Sequence, residues 1–167
     1  ERTCYVILFQ APLNVWKTYH RGSYDRAADS EAIASVGADR KVRLGSYGDP
    51  AAVPAYVWKA LLSKSAGRTG YSHQSGLDNA DFVADIMMVS ADNMAMAQAA
   101  WAKGQRTFRV IDSLDAITDD EVLCPASEEA GRRTNCENCG LCAGSSIKAK
   151  SIAIVAHGNG AKYATTN

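Results

Sequence analysis

Short runs of apolar and β-branched residues recur along the chain, and between them lie stretches whose apolar positions return every three or four residues. The runs "TCYVILF" (3–9), "KVRLGSY" (41–47), "FVADIMMVS" (82–90), "RTFRVID" (106–112) and "SIAIVAHG" (151–158) read as buried strands, with "DEVLCPA" (120–126) as a shorter sixth. Helix patterns fill the gaps. "APLNVWKTYHRG" (11–22) is one. "DPAAVPAYVWKALLSKSA" (49–66) is a second, with Pro54 near its start and Val57, Leu61 and Leu62 on one face. "SADNMAMAQAAWAKG" (90–104) opens on Ser90 or Asp92 as N-cap and stops at Gly104. Strand–helix–strand alternation predicts an α/β fold with a mainly parallel sheet. No internal repeat, low-complexity stretch or interdomain linker interrupts residues 1–167, so one α/β domain is expected. Residues 127–150, rich in Ser, Gly, Asn and Lys, form the one extended region without periodicity.

At 167 residues the chain is long enough to bury a sizeable core, and a 47% hydrophobic content suits a globular protein. Eighteen basic residues balance eighteen acidic ones, which gives no signal for nucleic-acid binding. The apolar runs are too short to span a bilayer, so no membrane partner is expected. The chain opens on Glu1-Arg2 with no initiator methionine and no visible signal peptide, and is expected to be truncated at its N-terminus.

Composition changes the picture most in the aperiodic region. "CPASEEAGRRTNCENCGLCAG" places Cys124, Cys136, Cys139 and Cys142 within nineteen positions. Without a secretory signal, such a cluster reads as metal ligands before disulfides. Structural zinc commonly uses two separated C-x-x-C knuckles. Three thiols in one C-x-x-C-x-x-C run, with a remote Cys-Pro, instead match the spacing of ferredoxin-type [4Fe-4S] sites. Iron–sulfur therefore stands ahead of zinc, with zinc the alternative and two disulfides or inert thiols the bland one. Residues 124–150 are expected to be an embedded metal-binding loop, ordered by its metal while the sheet folds without it.

Other stretches offer ligand-binding groups. "RLGSYGDPA" (43–51) ends a strand and opens a helix, where α/β proteins place binding loops. Gly45 and Gly48 allow sharp turns, Asp49 offers a carboxylate and Pro50 suits a first helical turn. Asp49 reads equally as a plain N-cap. "TGYSHQ" (69–74), a loop or short strand, groups Tyr71, His73 and Gln74, and His73 suits a base, a ligand or a hydrogen-bonded structural role. Arg43 and Arg109 sit on strands and need a carboxylate or an anionic ligand, in a shared cavity or on a solvated edge. "AHGNG" (156–160) is a phosphate-type loop or an exit turn. Trp16, Trp58 and Trp101 read as packing against the sheet. If the loops after parallel strands converge, "GSYGDP", "GYSHQ", "AHGNG" and Cys124 meet on one side of the sheet, around an unidentified small molecule.

Taken together, "CYV…AP…VWKTYHRGSY", "RLGSYGDPAAVP", "TGYSHQ", "RTFRV", "CPASEEAGRRTNCENCGLC" and "IAIVAHG" resemble a family of uncharacterised bacteriophage-encoded proteins along nearly the whole chain. That family looks like a compact relative of the radical S-adenosylmethionine (SAM) enzymes. The resemblance implies a partial (β/α) barrel and a location in the cytoplasm of an infected bacterium. It also implies that Gly48, Asp49 and Pro50 match a Gly-Gly-Glu-Pro-like loop that holds the SAM amino group, with Asp in place of Glu. Radical SAM chemistry needs three cysteines near the first strand, and only Cys4 stands there. SAM is therefore implied for the full-length protein, and the C-terminal cysteines resemble an auxiliary cluster site. The other implied reading is a non-enzymatic phage accessory protein with structural zinc.

Overall fold

The computed structural model describes residues 7–74 and 80–157. Among them six strands form one all-parallel sheet: β1 Lys41–Leu44, β2 Gly67–Ser72, β3 Met88–Ala91, β4 Thr107–Ile111, β5 Glu121–Leu123 and β6 Ser151–Val155. Their spatial order is β1-β2-β3-β4-β6-β5. The edges, β1 and β5, do not meet, so the expected α/β fold is present as an open sheet. Helices α1 Ala11–His20, α2 Ser30–Gly37, α3 Ala55–Leu62, α4 Ala80–Ile86, α5 Met94–Trp101 and the single turn α6 Cys136–Cys139 complete the pattern. No helix of the described residues is long and apolar enough to cross a membrane.

Parallel neighbours cannot be joined by a tight turn, so each connection runs back along a face of the sheet. Right-handed crossovers that advance from β1 to β4 stack their helices on the same face. Val42 and Leu44 of β1 pack there with Trp58, Leu61 and Leu62 of α3 and with Phe82, Val83 and Ile86 of α4. Strand side chains alternate between faces. Tyr71, Met88, Phe108, Val122, Ile152 and Ile154 accordingly form a second cluster, joined by Cys124, Leu141 and Cys142. Helices cover one face and the cysteine segment covers the other.

Several expected elements shift. The run 82–90 is not one strand: residues 80–86 form α4 and only 88–91 are extended. Phe82, Val83 and Ile86 recur at helical spacing and Asp85 is exposed, but a short apolar run with one charged residue looks the same for a buried strand or helix. The helix expected over 49–66 begins as a 3₁₀ turn at Pro50–Ala52 and restarts as α3. Pro54 holds the preceding Val53 extended, which separates the two. "TGYSHQ" contributes to β2, and α5 is capped by Asn93, whose side chain accepts from Met96 N–H. α2 has no counterpart in the sequence reading, although Asp29 caps it. Of the strand expected at 3–9, residues 3–6 lie outside the described residues and 8–10 form a turn.

One polar contact inside the helical face bears on stability. Arg109 on β4, 3% exposed, donates from Nε and Nη2 to both carboxylate oxygens of Glu121 on β5, at 2.8 and 2.6 Å, and to Ala116 O at 2.8 Å. Glu121 also accepts from Thr118 N–H and Oγ1. The pair links two strands across β6. Removing one partner of a buried ion pair leaves the other charge uncompensated, at a cost of about 3–5 kcal/mol. Glu121→Ala should lower unfolding stability by about that amount in denaturant titration, and Arg109→Met added to it should recover part of the loss. An additive double variant would show that the two residues are not coupled.

Candidate metal centre

Local chemistry fixes where each cysteine stands. Cys124 directly follows β5, and its N–H extends the ladder to Ala153 O at 2.7 Å. Cys136 and Cys139 occupy the single turn α6, at a spacing of three that puts both thiols on one side. Asn135 caps this turn by accepting from Asn138 N–H at 2.9 Å, and Gly140, at φ 64°, ends it in the left-handed region. The chain then reaches Cys142, whose carbonyl accepts from Gly70 N–H at 3.1 Å. β2 pairs with β1 through Gly70 but with β3 only from Tyr71 onward. Cys142 thus takes the place of a β3 residue beside β2.

Two further devices anchor this segment. Gly144 has φ 86°, and a Cβ there would lie 2.5 Å from Asp85 O and Met87 N, so only glycine fits without rearrangement. Arg106, just before β4 and 6% exposed, donates from Nη1 to Leu141 O and Gly144 O, both at 2.9 Å. Its Nε and Nη2 donate to Lys150 O at 3.1 and 2.6 Å. Residues 141–146 are knitted into the sheet, whereas 127–140 have few such ties.

All four thiols line one shallow pocket, partly open to solvent, whose walls include Thr69 and Tyr71 of β2 and Ile152 of β6. Cys124 and Cys142 are buried, Cys139 is half-buried and Cys136 is exposed, and none is in a disulfide. A single zinc ion with 2.3 Å bonds would hold its sulfurs about 3.8 Å apart. Among the described residues, no three Cys, His, Asp or Glu side chains are placed to hold one ion together. Burial pushes the Cys142 thiol up to about 11, the Tyr71 hydrogen bond pulls it down, and the other three cysteines push it up. Burial likewise raises Cys124, and raises the Tyr71 phenol with help from Cys142. A bound cation is what would favour these thiolates.

The other expected groups do not gather here. Asp49 Oδ1 accepts from Ala51 N–H at 2.9 Å and Ser72 Oγ at 2.7 Å, and Oδ2 accepts from His73 N–H at 2.8 Å. It caps a turn and ties the β1 loop to the end of β2. Ser72 lies opposite in parity to Tyr71, and Ala51 belongs to the helical-face cluster, so the Gly48-Asp49-Pro50 turn and the sulfurs occupy different faces. The expected meeting of "GSYGDP" with Cys124 is therefore corrected. His73 is exposed, with Nε2 3.6 Å from Asp92 Oδ1. His157 Nδ1 lies 3.1 Å from Val155 O, and residues 158–160 of "AHGNG" are outside the described residues. Arg43 stacks over Tyr71 on the cysteine face, whereas Arg109 is engaged by Glu121 on the helical face, so the two share no cavity. Trp58 and Trp101 pack on the sheet as expected, but Trp16 is exposed. Arg106 and Thr69 were missed. The rule that a buried strand tolerates arginine only with a partner applies to both arginines of "RTFR", and would have flagged Arg106.

Comparison of the chain with protein-family models, with characterised proteins and with solved structures found no match.

In metal-free, reduced protein, alkylation followed by peptide mapping should modify Cys136 first and Cys142 last. Cys142 should react appreciably only as pH rises toward about 11, because its burial-raised thiol stays protonated at neutral pH. Equal rates at pH 7 would mean that the buried and exposed thiols are not distinguished.

Proposed function

We propose that the chain is a metal-cluster protein in which Cys124, Cys136, Cys139 and Cys142 ligate one [4Fe-4S] cluster. By its sequence resemblance it is a phage-type relative of the radical SAM enzymes. The observation that carries the metal reading is four free thiols around a single pocket. Their C-x-x-C-x-x-C run with a remote Cys-Pro is the spacing of ferredoxin-type clusters, in which successive ligands reach different irons, and this puts iron–sulfur ahead of a lone tetrahedral ion. When bound, the cluster would hold four thiolates in their charged state and store one electron. The chain's own residues supply the rest. β5 and β2 present Cys124 and Cys142, α6 presents Cys136 and Cys139, and Ile152 and Leu141 keep water from the buried side.

A second reading is favoured by one observation: the Gly48-Asp49-Pro50 turn faces away from the thiols, and Asp49 is committed to internal hydrogen bonds. A metal that only staples residues 124–142 to the sheet needs no neighbouring ligand pocket. In that reading the metal is zinc and the protein a non-enzymatic accessory. SAM enters only for a chain with three cysteines at its first strand.

Anaerobic purification should give protein with about four irons per chain and a broad absorption in the violet–blue. One zinc per chain without colour would transfer the site to the zinc reading. Metal-free protein with all four thiols titratable, even after anaerobic reconstitution with iron and sulfide, would remove both readings.

Cys139→Ser should remove the metal and expose the Arg132-Arg133 bond to trypsin at least tenfold faster. Residues 141–150 should stay protected, because Arg106 and the Cys142 pairing hold them without metal. The sheet should still melt cooperatively. Failure of the whole chain to fold would show that the metal is needed for the core as well as for the loop.

A further inference from the structure

Two side chains from different strands act on one of the four cysteines. Tyr71 of β2 donates its O–H to Cys142 Sγ at 3.7 Å. The phenol is held from two other sides. Arg43 lies over its ring at 4.4 Å from the centroid and donates to its oxygen at 3.4 Å, and the Phe108 ring packs against it with centroids 4.2 Å apart. Arg106 comes from the start of β4. Among the described residues its side-chain partners are the carbonyls of Leu141, Gly144 and Lys150, and no carboxylate pairs with it. The other buried arginine, Arg109, is neutralised by Glu121. Burying a guanidinium is costly unless an anion compensates it. Two of the carbonyls that Arg106 binds, those of Leu141 and Gly144, flank Cys142 in the chain, which places the guanidinium beside that cysteine.

Resting on the [4Fe-4S] reading, we propose that Tyr71 and Arg106 set the reduction potential of the cluster through Cys142. A hydrogen bond to a ligand sulfur and an adjacent positive charge both stabilise the more negative, reduced cluster, and so raise its potential. Cys142 is where both effects act. Cys136 is exposed. The two effects would thus act on one ligand sulfur and not on all four. Tyr71 and Arg106 are positioning residues that never touch the iron. Arg43 and Phe108 keep the phenol aimed.

The test uses the reconstituted holoprotein and an anaerobic redox titration followed by visible absorption. Tyr71→Phe keeps the ring, its contact with Phe108 and its cover by Arg43, and removes only the O–H. It should lower the potential by about 59 mV, which is tenfold less reduced cluster at a fixed potential for a one-electron couple. Iron content and the thermal transition should be unchanged. Arg106→Gln should lower the potential in the same direction, and Arg106→Lys, which keeps the charge, should restore most of it. If Arg106→Gln does not fold, Tyr71→Phe decides alone. A Tyr71→Phe potential equal to that of the parent would overturn the proposal while leaving the cluster in place. A parent protein that takes up no iron would instead overturn the cluster reading, so the two failures are distinguishable.

Discussion

Between β2 and β3 the sheet's own pairing is incomplete, and the hydrogen bond from Gly70 N–H to Cys142 O fills the gap. A parallel strand in the middle of a sheet has backbone groups on both sides, and each must find a partner when it is buried. At Gly70 the neighbouring strand has not yet begun, so the partner is borrowed from a segment some seventy residues later in the chain. The rest of the cysteine region follows from that loan. Gly144 must be glycine to slip past the α4–β3 junction. Ser145 and Ser146 N–H then donate to the carbonyls of Ala84 and Asp85 at the end of α4, at 2.9 and 3.1 Å. Arg106 gathers the carbonyls that remain. A region that reads as an unstructured loop is, over its second half, tied to β2, to the end of α4 and to Arg106.

The two buried arginines show how the same cost is met in two ways. Arg109 has a carboxylate of its own, fixed by Thr118 and held wholly inside the protein. Arg106 has three carbonyls, which supply partial charge and geometry but no compensating ion. Backbone carbonyls satisfy the donors, yet the net positive charge stays beside Cys142. An anionic centre at the four sulfurs would complete that arrangement. The helical face is thus electrostatically closed by its own residues, whereas on the cysteine face Arg106 keeps a positive charge that no carboxylate of the described residues meets.

Much of this was legible in the sequence, for identifiable reasons. β4 and β6 were plain because "RTFRV" and "SIAIV" are β-branched runs bounded by polar residues. The four cysteines were plain because their spacing is a short-range property. What failed was whatever depended on which side of the sheet a residue faces. Arg43 and Arg109 look alike as arginines on strands, but Arg43 alternates with Val42 and Leu44 of the helical cluster, while Arg109 alternates with Phe108 of the cysteine cluster. One parity step separates them by the thickness of the sheet. Asp49 was moved off the expected site by the same step, through its bond to Ser72 instead of to a neighbour of Tyr71. Residues 82–90 failed for another reason: within that run Asp85 is the one charged side chain, and a single interruption does not tell a period of two from one of 3.6.

The four ligands are unequal in how far the protein positions them before any metal arrives. Cys124 and Cys142 are fixed through their own backbones, the first to Ala153 and the second to Gly70, and both are buried. Cys136 and Cys139 ride on a four-residue helical turn, too short to be stable alone, capped by Asn135 and tied to the sheet where Lys41 Nζ donates to Glu137 O at 2.9 Å. Ordering a chain segment costs roughly 1–2 kcal/mol per residue, so a site with two preset sulfurs needs less of the metal's binding free energy for ordering than one with none. The preset pair also carries the burial-raised thiol of Cys142, which opposes charging until metal is present. Cys136 and Cys139 stand at the open side of the pocket, and Cys124 and Cys142 at its buried side. A metal held by all four would be reached from solvent through the exposed pair and shielded from water by the buried one.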